Sequence, residues 1–262
     1  MSEDLSGLDT FPKLLLHHAR VRGDLPAIRE KDLGIWQTWT WKQFADEVRA
    51  LACGLASQGF KRGNHLALLG DNRPRFYAAM CAAQCLGGIP IALYQDAAAA
   101  EMAFPIQNAE ITHAVAEDQE QVDKLLEILP QCAALSHIYY DDPRGMRHYA
   151  QAQLMSCEKL LELGHESYRR DPAFLETEIA KGRGEDTAAM FFTSGTTGVP
   201  KGVVLTHWSL IDRAAVAAEM EGLGDSDVVL AYLPPAWIGQ NIFSYAQPFV
   251  TGYCICCPES AE

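Results

Sequence analysis

The strongest constraint on the fold is a regular alternation of short apolar runs and helical patterns between His65 and Tyr140. The apolar runs are bounded by turn residues and predict buried strands, whereas the segments between them have helical periodicity. Strands that alternate with helices are typical of parallel sheets covered on both faces. We therefore predict an α/β fold with parallel sheets flanked by helices. The predicted strands are His65–Leu69, Ile89–Leu93, His113–Ala116 and Ser136–Tyr140, and the predicted helices are Pro74–Leu86, Ala97–Asn108 and Gln119–Leu129.

The flanking regions continue this pattern. A helix is predicted at Phe11–Arg22, and a β-hairpin turns around Asp32, Leu33 and Gly34. Thr40 is the expected N-cap of a helix that ends near Gly59. We expect one domain over residues 1–262, in two sub-layers of about 1–180 and 181–262. The remaining predicted elements are helices at Cys157–Leu163, Ser209–Glu221 and Ile238–Val250, a helix from Asp171-Pro172 to about Lys181, and strands at Ala188–Phe192, Val203–His207, Val228–Leu233 and Tyr253–Cys257.

The net charge and the cysteine content of the chain indicate which classes of ligand or partner it can bind. The chain has 262 residues and a formal net charge of −13, which disfavours nucleic acid, since that binding depends on lysine and arginine neutralising phosphates. An anionic ligand would need a local positive pocket. The eight cysteines lack paired C-x-x-C spacing, so we expect small buried hydrophobic residues rather than a metal site.

The sequence also bears on location. No apolar run approaches the roughly twenty residues that span a bilayer. The acidic start Met1-Ser2-Glu3-Asp4 lacks the basic and apolar regions of a signal peptide. We expect a cytoplasmic protein without stable membrane insertion.

A polar glycine loop lies between two apolar runs and reads F-T-S-G-T-T-G-V-P-K-G from Phe192 to Gly202. Glycines let backbone N–H groups approach a ligand, hydroxyls donate hydrogen bonds to phosphate, and lysine supplies a mobile charge. The loop does not match the G-x-x-x-x-G-K-[ST] pattern that leads into a helix. A solvated Ser/Thr/Gly loop is the alternative interpretation. The candidate ligand residues are Thr193, Ser194, Gly195, Thr196, Thr197, Gly198 and Lys201.

This run resembles the signature loop of the AMP-forming acyl-CoA synthetases, nearly letter for letter. That adenylate-forming superfamily also holds luciferases and peptide-synthetase adenylation domains. The flanking segments Val204-Leu205-Thr206-His207 and Tyr232-Leu233-Pro234-Pro235 also resemble the family. The resemblance extends from about Phe11 to the last residue. The apolar region Trp237–Phe249 is most similar to that of bacterial long-chain fatty-acid–CoA ligases, with aryl and medium-chain acids as the alternative substrates.

The resemblance implies ATP-dependent activation of a carboxylic acid to an acyl-adenylate, followed by thioester formation with coenzyme A. It implies that the loop from Thr193 to Gly198 cradles the β- and γ-phosphates. Lys201 would stabilise charge on the departing pyrophosphate, and the Thr193 hydroxyl would help to hold Mg²⁺. Thr193 and Lys201 are therefore the candidate catalytic residues. An amphipathic acid substrate also allows peripheral contact with a membrane.

A second candidate segment follows Leu233. In the family the equivalent segment lines the acyl pocket, so Trp237, Ile238 and Gly239 are candidate pocket residues. The family often has a histidine after Leu-Pro, where this chain has Trp237. Tryptophan cannot accept a proton, and a purely structural tryptophan is the alternative.

The resemblance also defines what this sequence does not contain. There is no Tyr-Gly-x-Thr-Glu motif and no later aspartate motif for the ribose, and the mobile C-terminal domain with most coenzyme A contacts is absent. The resemblance therefore implies that residues 1–262 are an incomplete N-terminal adenylation domain, the N-terminal half of a ligase, and we expect this half to be inactive alone for the full reaction. The alternatives are a non-catalytic binding module and an adenylation domain that loads a carrier protein.

Overall fold

In the computed structural model, which describes residues 7–193 and 200–259, the strands form two sheets. The described strands are β1 (Pro26–Asp32), β2 (Ile35–Thr40), β3 (His65–Leu69), β4 (Ile89–Ala92), β5 (His113–Ala116), β6 (His137–Tyr140), β7 (Leu154–Ser156), β8 (Thr187–Thr193), β9 (Lys201–Thr206), β10 (Val228–Leu230) and β11 (Cys254–Cys257). The described α-helices are α1 (Phe11–Val21), α2 (Trp41–Ser57), α3 (Pro74–Cys85), α4 (Ala99–Asn108), α5 (Gln119–Ile128), α6 (Cys157–Arg170), α7 (Phe174–Ala180), α8 (His207–Glu221), α9 (Ile238–Asn241) and α10 (Gln247–Thr251).

The larger sheet has seven strands in the order β7-β6-β5-β3-β4-β8-β9. Its pairs are parallel except for β8 and β9, which form an antiparallel hairpin. Leu66 and Leu68 pack into one hydrophobic cluster, and Ala67 and Leu69 pack into the other. Both faces of this sheet are therefore covered, which confirms the predicted α/β fold with parallel sheets flanked by helices.

The smaller sheet has four strands in the order β10-β11-β1-β2. The strands β10, β11 and β1 are parallel, and β2 pairs antiparallel with β1 as the predicted hairpin. Ile28 of β1 is paired with Ile255 of β11, so the beginning of the chain is held by a strand from its far end. The sequence predicted each of these strands but not this partnership. The division into sub-layers near residue 180 stays a prediction.

Helix boundaries follow local chemistry. Thr40 caps α2 through a capping box, in which its hydroxyl accepts from the Gln43 N–H at 3.2 Å and the Gln43 Oε1 accepts from the Thr40 N–H at 2.8 Å. The predicted helix Ile238–Val250 is present as α9, a π-helical turn (Ile242–Ala246) and α10 in succession.

Two elements differ from the prediction by more than three residues or were not predicted at all. The helix at Cys157 continues to Arg170 rather than ending at Leu163. The helix α6 buries only Cys157, Leu160 and Gly164. Its second half is largely polar, so the sequence there has little apolar periodicity from which a helix could be predicted. The short strand β7 was not predicted, since it is a three-residue edge strand paired only with β6.

All eight cysteines are buried and free, which confirms their expected role as small hydrophobic residues. Within the part of the chain that the structure describes, no helix combines the length and the apolar character that a bilayer crossing would require.

Candidate ligand site at the carboxyl edge of the sheets

The hairpin of β8 and β9 brings the two candidate catalytic residues together. Thr193 is the last residue of β8, Lys201 is the first residue of β9, and the two are directly paired across the hairpin. Both side chains are exposed. The other predicted loop residues, which are Ser194, Gly195, Thr196, Thr197 and Gly198, lie outside the described residues.

The base of this hairpin is held by packing. Phe191 and Phe192 are buried, and Met190 is paired with Ile91 of the neighbouring strand β4. Gly202 crosses β8 so closely that a Cβ at this position would lie 2.8 Å from the Met190 Sδ. A side chain at residue 202 would therefore displace the Met190 side chain, so the close pairing of β9 with β8 favours glycine here, and this pairing sets the position of Lys201.

A cleft of about 730 Å³ opens beside Thr193 and Pro200. It lies where β4 and β8 end at the carboxyl edge of the larger sheet, with α4 as its outer wall, which is the usual position of ligands in open α/β sheets. Aromatic and aliphatic side chains dominate its lining, and the carboxylates of Asp96 and Glu101 add negative charge. The lining residues are Ala92, Leu93, Tyr94, Asp96, Ala97, Ala100, Glu101, Met102, Phe104, Pro105, Phe192, Thr193 and Pro200.

The segment after β10 is fixed by a buried polar clamp. The Gln240 Oε1 accepts from the Leu233 N–H at 3.1 Å, and the Asn72 side-chain amide donates to the Leu233 carbonyl at 2.9 Å. The Gln240 amide also donates to the Asn72 Oδ1 and to the Tyr77 hydroxyl, both at 2.9 Å. Asn72, Tyr77 and Gln240 are all buried, and burial raises the pKa of Tyr77, so this phenol stays neutral.

The sequence analysis did not select Asn72 or Tyr77, and it included Gln240 only as part of the segment after Leu233. The sequence does contain a signal for Gln240, which is a polar side chain within an apolar helical pattern. A buried amide needs hydrogen-bond partners, so such a position predicts a polar contact. Through the clamp, the loop at Leu233 is attached to the start of α3. This loop lines a second, smaller cleft of about 140 Å³, together with Asp71, Asn72, Gln95, Asp96, Ala231, Tyr232, Pro234, Pro235 and Pro258.

The predicted pocket residues lie beside this loop rather than in either cleft. The side chains of Trp237 and Ile238 are exposed, and neither residue contributes to the lining of the two clefts. Gly239 is partly exposed, and a Cβ at this position would lie 3.7 Å from the Leu233 Cδ1 and 4.0 Å from the Phe243 Cε2.

Arg73 connects the edges of the two sheets. Its Nε donates to the Glu117 Oε1 at 2.8 Å, and one guanidinium nitrogen donates to the Pro258 carbonyl at 2.9 Å. Glu30 of β1 lies 3.7 Å away. Burial raises the pKa of Glu30, although the charge of Arg73 opposes this rise. The Arg73 guanidinium is therefore already paired with structural partners, whereas Lys201 lies at the candidate site.

The side chains near the β8–β9 hairpin restrict which kind of metal ion could bind there. Within residues 7–193 and 200–259, no group of three or more His, Cys, Asp or Glu side chains has an arrangement suited to a metal ion. The exposed Thr193 hydroxyl is a hard oxygen donor that suits Mg²⁺, which usually takes few protein ligands and keeps waters and substrate phosphates. The Thr193 hydroxyl therefore fits Mg²⁺ as a single oxygen ligand.

The fold and the position of these clefts define an α/β protein with a candidate ligand site at the carboxyl edge of its sheets. Residues 15–262 match the model of the AMP-binding enzyme family, and the chain belongs to this family.

Relatives and solved structures agree with this assignment. The chain is 28% identical over 239 residues to the long-chain-fatty-acid–CoA ligase ACSBG2 of Xenopus laevis, covering 89% of this chain and 31% of that protein. It is 26% identical over 240 residues to the long-chain-fatty-acid–CoA ligase FadD15 of Mycobacterium bovis, covering 91% and 38%. The anthranilate CoA ligase AuaEII, solved with anthranoyl-AMP, has the same fold, with a TM-score of 0.79 at 18% identity over 94% of this chain and 43% of that one. The chain thus spans about a third of the length of these curated relatives.

Proposed function

We propose that this chain supplies the phosphate-binding part of an AMP-forming ligase that activates a carboxylic acid, with a long-chain fatty acid as the substrate. A carboxylate oxygen attacks the α-phosphorus of ATP, the bond to pyrophosphate breaks, and an acyl-adenylate forms. The thiolate of coenzyme A then displaces AMP and leaves a thioester. Membership of the AMP-binding family supports this proposal, and so does similarity to two long-chain-fatty-acid–CoA ligases.

The observation that carries the proposal is the pairing of Thr193 with Lys201 at the base of the hairpin. The side chains of directly paired residues project from the same face of a hairpin, so the hydroxyl and the ammonium can contact one polyphosphate together. In this role Lys201 stabilises the charge that builds on pyrophosphate as it leaves, which lowers the barrier because phosphoryl transfer depends on positioning and charge stabilisation. Residues Ser194 to Gly198 would contribute backbone and hydroxyl donors.

Thr193 would hold Mg²⁺ through its hydroxyl, and the bound ion would supply charge neutralisation on the phosphates. The cleft beside Thr193 has the volume expected of a small-molecule site. Its apolar lining suits an acyl group or the thiol arm of coenzyme A. Trp237, Ile238 and Gly239 would shape the pocket for the acid by supporting the loop at Leu233. A cytoplasmic location with transient membrane contact is part of the same proposal.

Nucleotide binding by the purified chain tests the role of Lys201. We expect the Lys201→Ala variant to bind a fluorescent ATP analogue with Mg²⁺ about 10- to 100-fold more weakly, because one charge-assisted contact is worth about 1.5–3 kcal/mol. Thr193→Val should weaken binding less in the absence of Mg²⁺ than in its presence. The measurement is a fluorescence anisotropy titration.

Lys159→Ala is the matched control, since Lys159 is an exposed lysine of α6 that is paired with Glu162 at 2.7 Å. It should bind the analogue as the unaltered chain does. Equal affinity of the unaltered chain and of Lys201→Ala would contradict the proposed role.

The substrate class requires a second assay. Isotope exchange between pyrophosphate and ATP, driven by long-chain fatty acids in the ligase that contains this sequence, would support the proposal. Exchange driven by amino acids would instead favour an adenylation domain that loads a carrier protein. For the 262-residue chain alone we expect nucleotide binding without thioester formation. A chain that binds no nucleotide would favour the non-catalytic binding module.

A further inference from the structure

The tip of the β1–β2 hairpin exposes large apolar side chains to solvent. Leu33 is 84% exposed, Ile35 is 63% exposed and Trp36 is 43% exposed. Together with Gly34 they form four consecutive residues, which we call the hairpin tip. Turns usually carry small polar residues, and a contiguous exposed apolar surface marks an interaction site.

The backbone of the hairpin tip makes Leu33 more unusual. Its φ is 49° and that of Gly34 is 77°, so both central residues of this two-residue turn are left-handed. Asn-Gly is the favoured pair for such a turn, because a Cβ is crowded in this region and asparagine tolerates it better than leucine does. Leu33 is therefore unfavourable both for the turn and for contact with water. A position that breaks two local rules at once indicates a functional contact.

The hairpin tip lies at the same edge of the molecule as the candidate clefts. The strand β1 is parallel to β11, so the turn after β1 and the residues after β11 lie at the carboxyl edge of the smaller sheet. The Gly34 N–H donates to the Glu259 Oε2 at 3.1 Å, and the Arg73 guanidinium donates to the Glu259 carbonyl at 3.0 Å. Pro258, the preceding residue, lines the smaller cleft. The tip is thus held beside the edge at which the candidate ligand site opens.

The residues behind the turn have the chemistry of a lipid–water interface. Trp36 is directly paired with Lys31 on the neighbouring strand. Tryptophan is enriched at membrane interfaces, and lysine can extend its ammonium to the headgroups while its stem stays in apolar surroundings. An apolar turn followed by this pair matches the change in polarity from acyl chains to headgroups. The carboxylates of Asp32 and Glu259 lie beside the tip, which disfavours an anionic surface.

We propose that the hairpin tip inserts into the surface of a zwitterionic phospholipid bilayer, with Leu33 and Ile35 among the upper acyl chains and Trp36 at the headgroups. This role rests on the proposed function, since a long-chain fatty acid is an amphipathic substrate that partitions into membranes. Insertion would hold the carboxyl edge of the sheets, with its clefts, against the surface that supplies the acid. Because few apolar side chains take part, the contact is weak and reversible.

A fluorophore at the hairpin tip measures insertion directly. All eight cysteines are buried, so an NBD maleimide labels the thiol introduced by Leu33→Cys. Phosphatidylcholine vesicles should shift the emission of this label to shorter wavelength and raise its intensity at least about twofold, because the label leaves water for an apolar environment. Met220→Cys is the matched control, since Met220 of α8 is also 84% exposed. The label at residue 220 should not respond.

The Leu33→Asn variant separates membrane binding from folding. Asparagine suits a left-handed turn position, so this variant should keep or raise the midpoint of thermal unfolding. Its co-sedimentation with the same vesicles should nevertheless fall at least about 10-fold, because the most exposed apolar side chain of the tip is lost. Met220→Asn should bind vesicles as the unaltered chain does. Vesicles that contain phosphatidylserine should bind the unaltered chain more weakly, since its net charge is −13.

Several results would overturn the proposal. Equal co-sedimentation of Leu33→Asn and the unaltered chain, or an equal response of the two labels, would show that the hairpin tip does not insert. Binding that requires phosphatidylserine would exclude an apolar anchor. Concentration-dependent self-association in sedimentation velocity that Leu33→Asn abolishes would assign the tip to a second copy of the chain.

The role of the hairpin tip and the proposed function can fail separately. Vesicle binding without fatty-acid-driven exchange between pyrophosphate and ATP would support the role of the tip and contradict the proposed substrate class. Exchange driven by fatty acids, with no vesicle binding by the unaltered chain, would support the substrate class and contradict the role of the tip.

Discussion

At the residue scale, the side chain of Gln240 makes three hydrogen bonds that the sequence did not predict. Its single amide group bonds to the Leu233 backbone, to Asn72 and to Tyr77. A buried amide with satisfied partners specifies one loop position, but a buried amide that loses its partners is costly. The position of the loop beside the smaller cleft therefore depends on this side chain.

The Gln240→Ala variant should lower the free energy of unfolding by about 2–3 kcal/mol, because the Leu233 N–H loses its acceptor and the Asn72 Oδ1 and the Tyr77 hydroxyl each lose one donor. Urea denaturation measures this loss. Gln240→Glu keeps the acceptor for the Leu233 N–H but removes the donor, so we expect a loss of comparable size.

Gln58→Ala is the control, since Gln58 is a partly exposed glutamine whose side-chain amide donates to the neighbouring Ser57 hydroxyl at 3.3 Å. It should change stability by less than about 0.5 kcal/mol. If Gln240→Ala were as mild as this control, the clamp would not be a determinant of stability.

At the scale of elements, α2 and α6 meet through two glycines. A Cβ at Gly164 would lie 1.8 Å from the Ala50 carbonyl oxygen, and a Cβ at Gly54 would lie 2.4 Å from the Leu160 carbonyl oxygen. Because both obstacles are backbone atoms, neither can move without shifting a helix. The two helices can approach this closely only because both crossing positions lack a side chain.

Gly164→Ala should therefore destabilise the protein by about 3 kcal/mol or more, although alanine favours helix formation. The measurement is the midpoint of thermal or urea unfolding. Gly224→Ala is the control, since no atom lies within 4 Å of a Cβ built there. A Gly164→Ala variant as stable as Gly224→Ala would show that α2 and α6 are not packed at this distance.

At the scale of the whole molecule, buried histidines make stability depend on pH. Burial lowers the pKa of His113 from 6.5 to about 4. Its ring is stacked on His137 at a centroid distance of 4.5 Å, and its Nε2 donates to the Gln58 carbonyl at 3.3 Å. Burial likewise lowers the pKa of His207 to about 4. Both imidazoles are therefore neutral in the folded protein at neutral pH.

The sign of the pH effect follows from these pKa values. Between pH 6.5 and about 4, the unfolded chain binds protons that the folded protein does not, so stability is complete above pH 6.5 and falls as the pH falls. His113 alone should cost about 2 kcal/mol between pH 7.5 and pH 5. Urea denaturation at the two pH values measures this difference.

His113→Gln should flatten this difference by about 2 kcal/mol, even if the variant is less stable at both pH values. His148→Gln, at an exposed histidine, should leave the difference unchanged. An unchanged pH dependence in His113→Gln would mean that the folded protein protonates His113 as readily as the unfolded chain does.

The sequence by itself determined the local elements of this protein and its family. Apolar periodicity predicted strands such as His65–Leu69, and Thr40 marked the start of α2, because side-chain periodicity and capping act over a few residues. The run Phe192–Gly202 indicated the family for a related reason, since its residues are adjacent in the chain. The same argument selected Thr193 and Lys201.

Only the tertiary structure decided which distant segments meet. The pairing of Ile28 with Ile255, the clamp of Gln240 on Leu233 and the crossing of Gly54 with Gly164 join residues that the sequence separates by many elements. Local sequence patterns do not indicate such partners, because the order of strands and the packing of helices depend on the free energy of the whole chain.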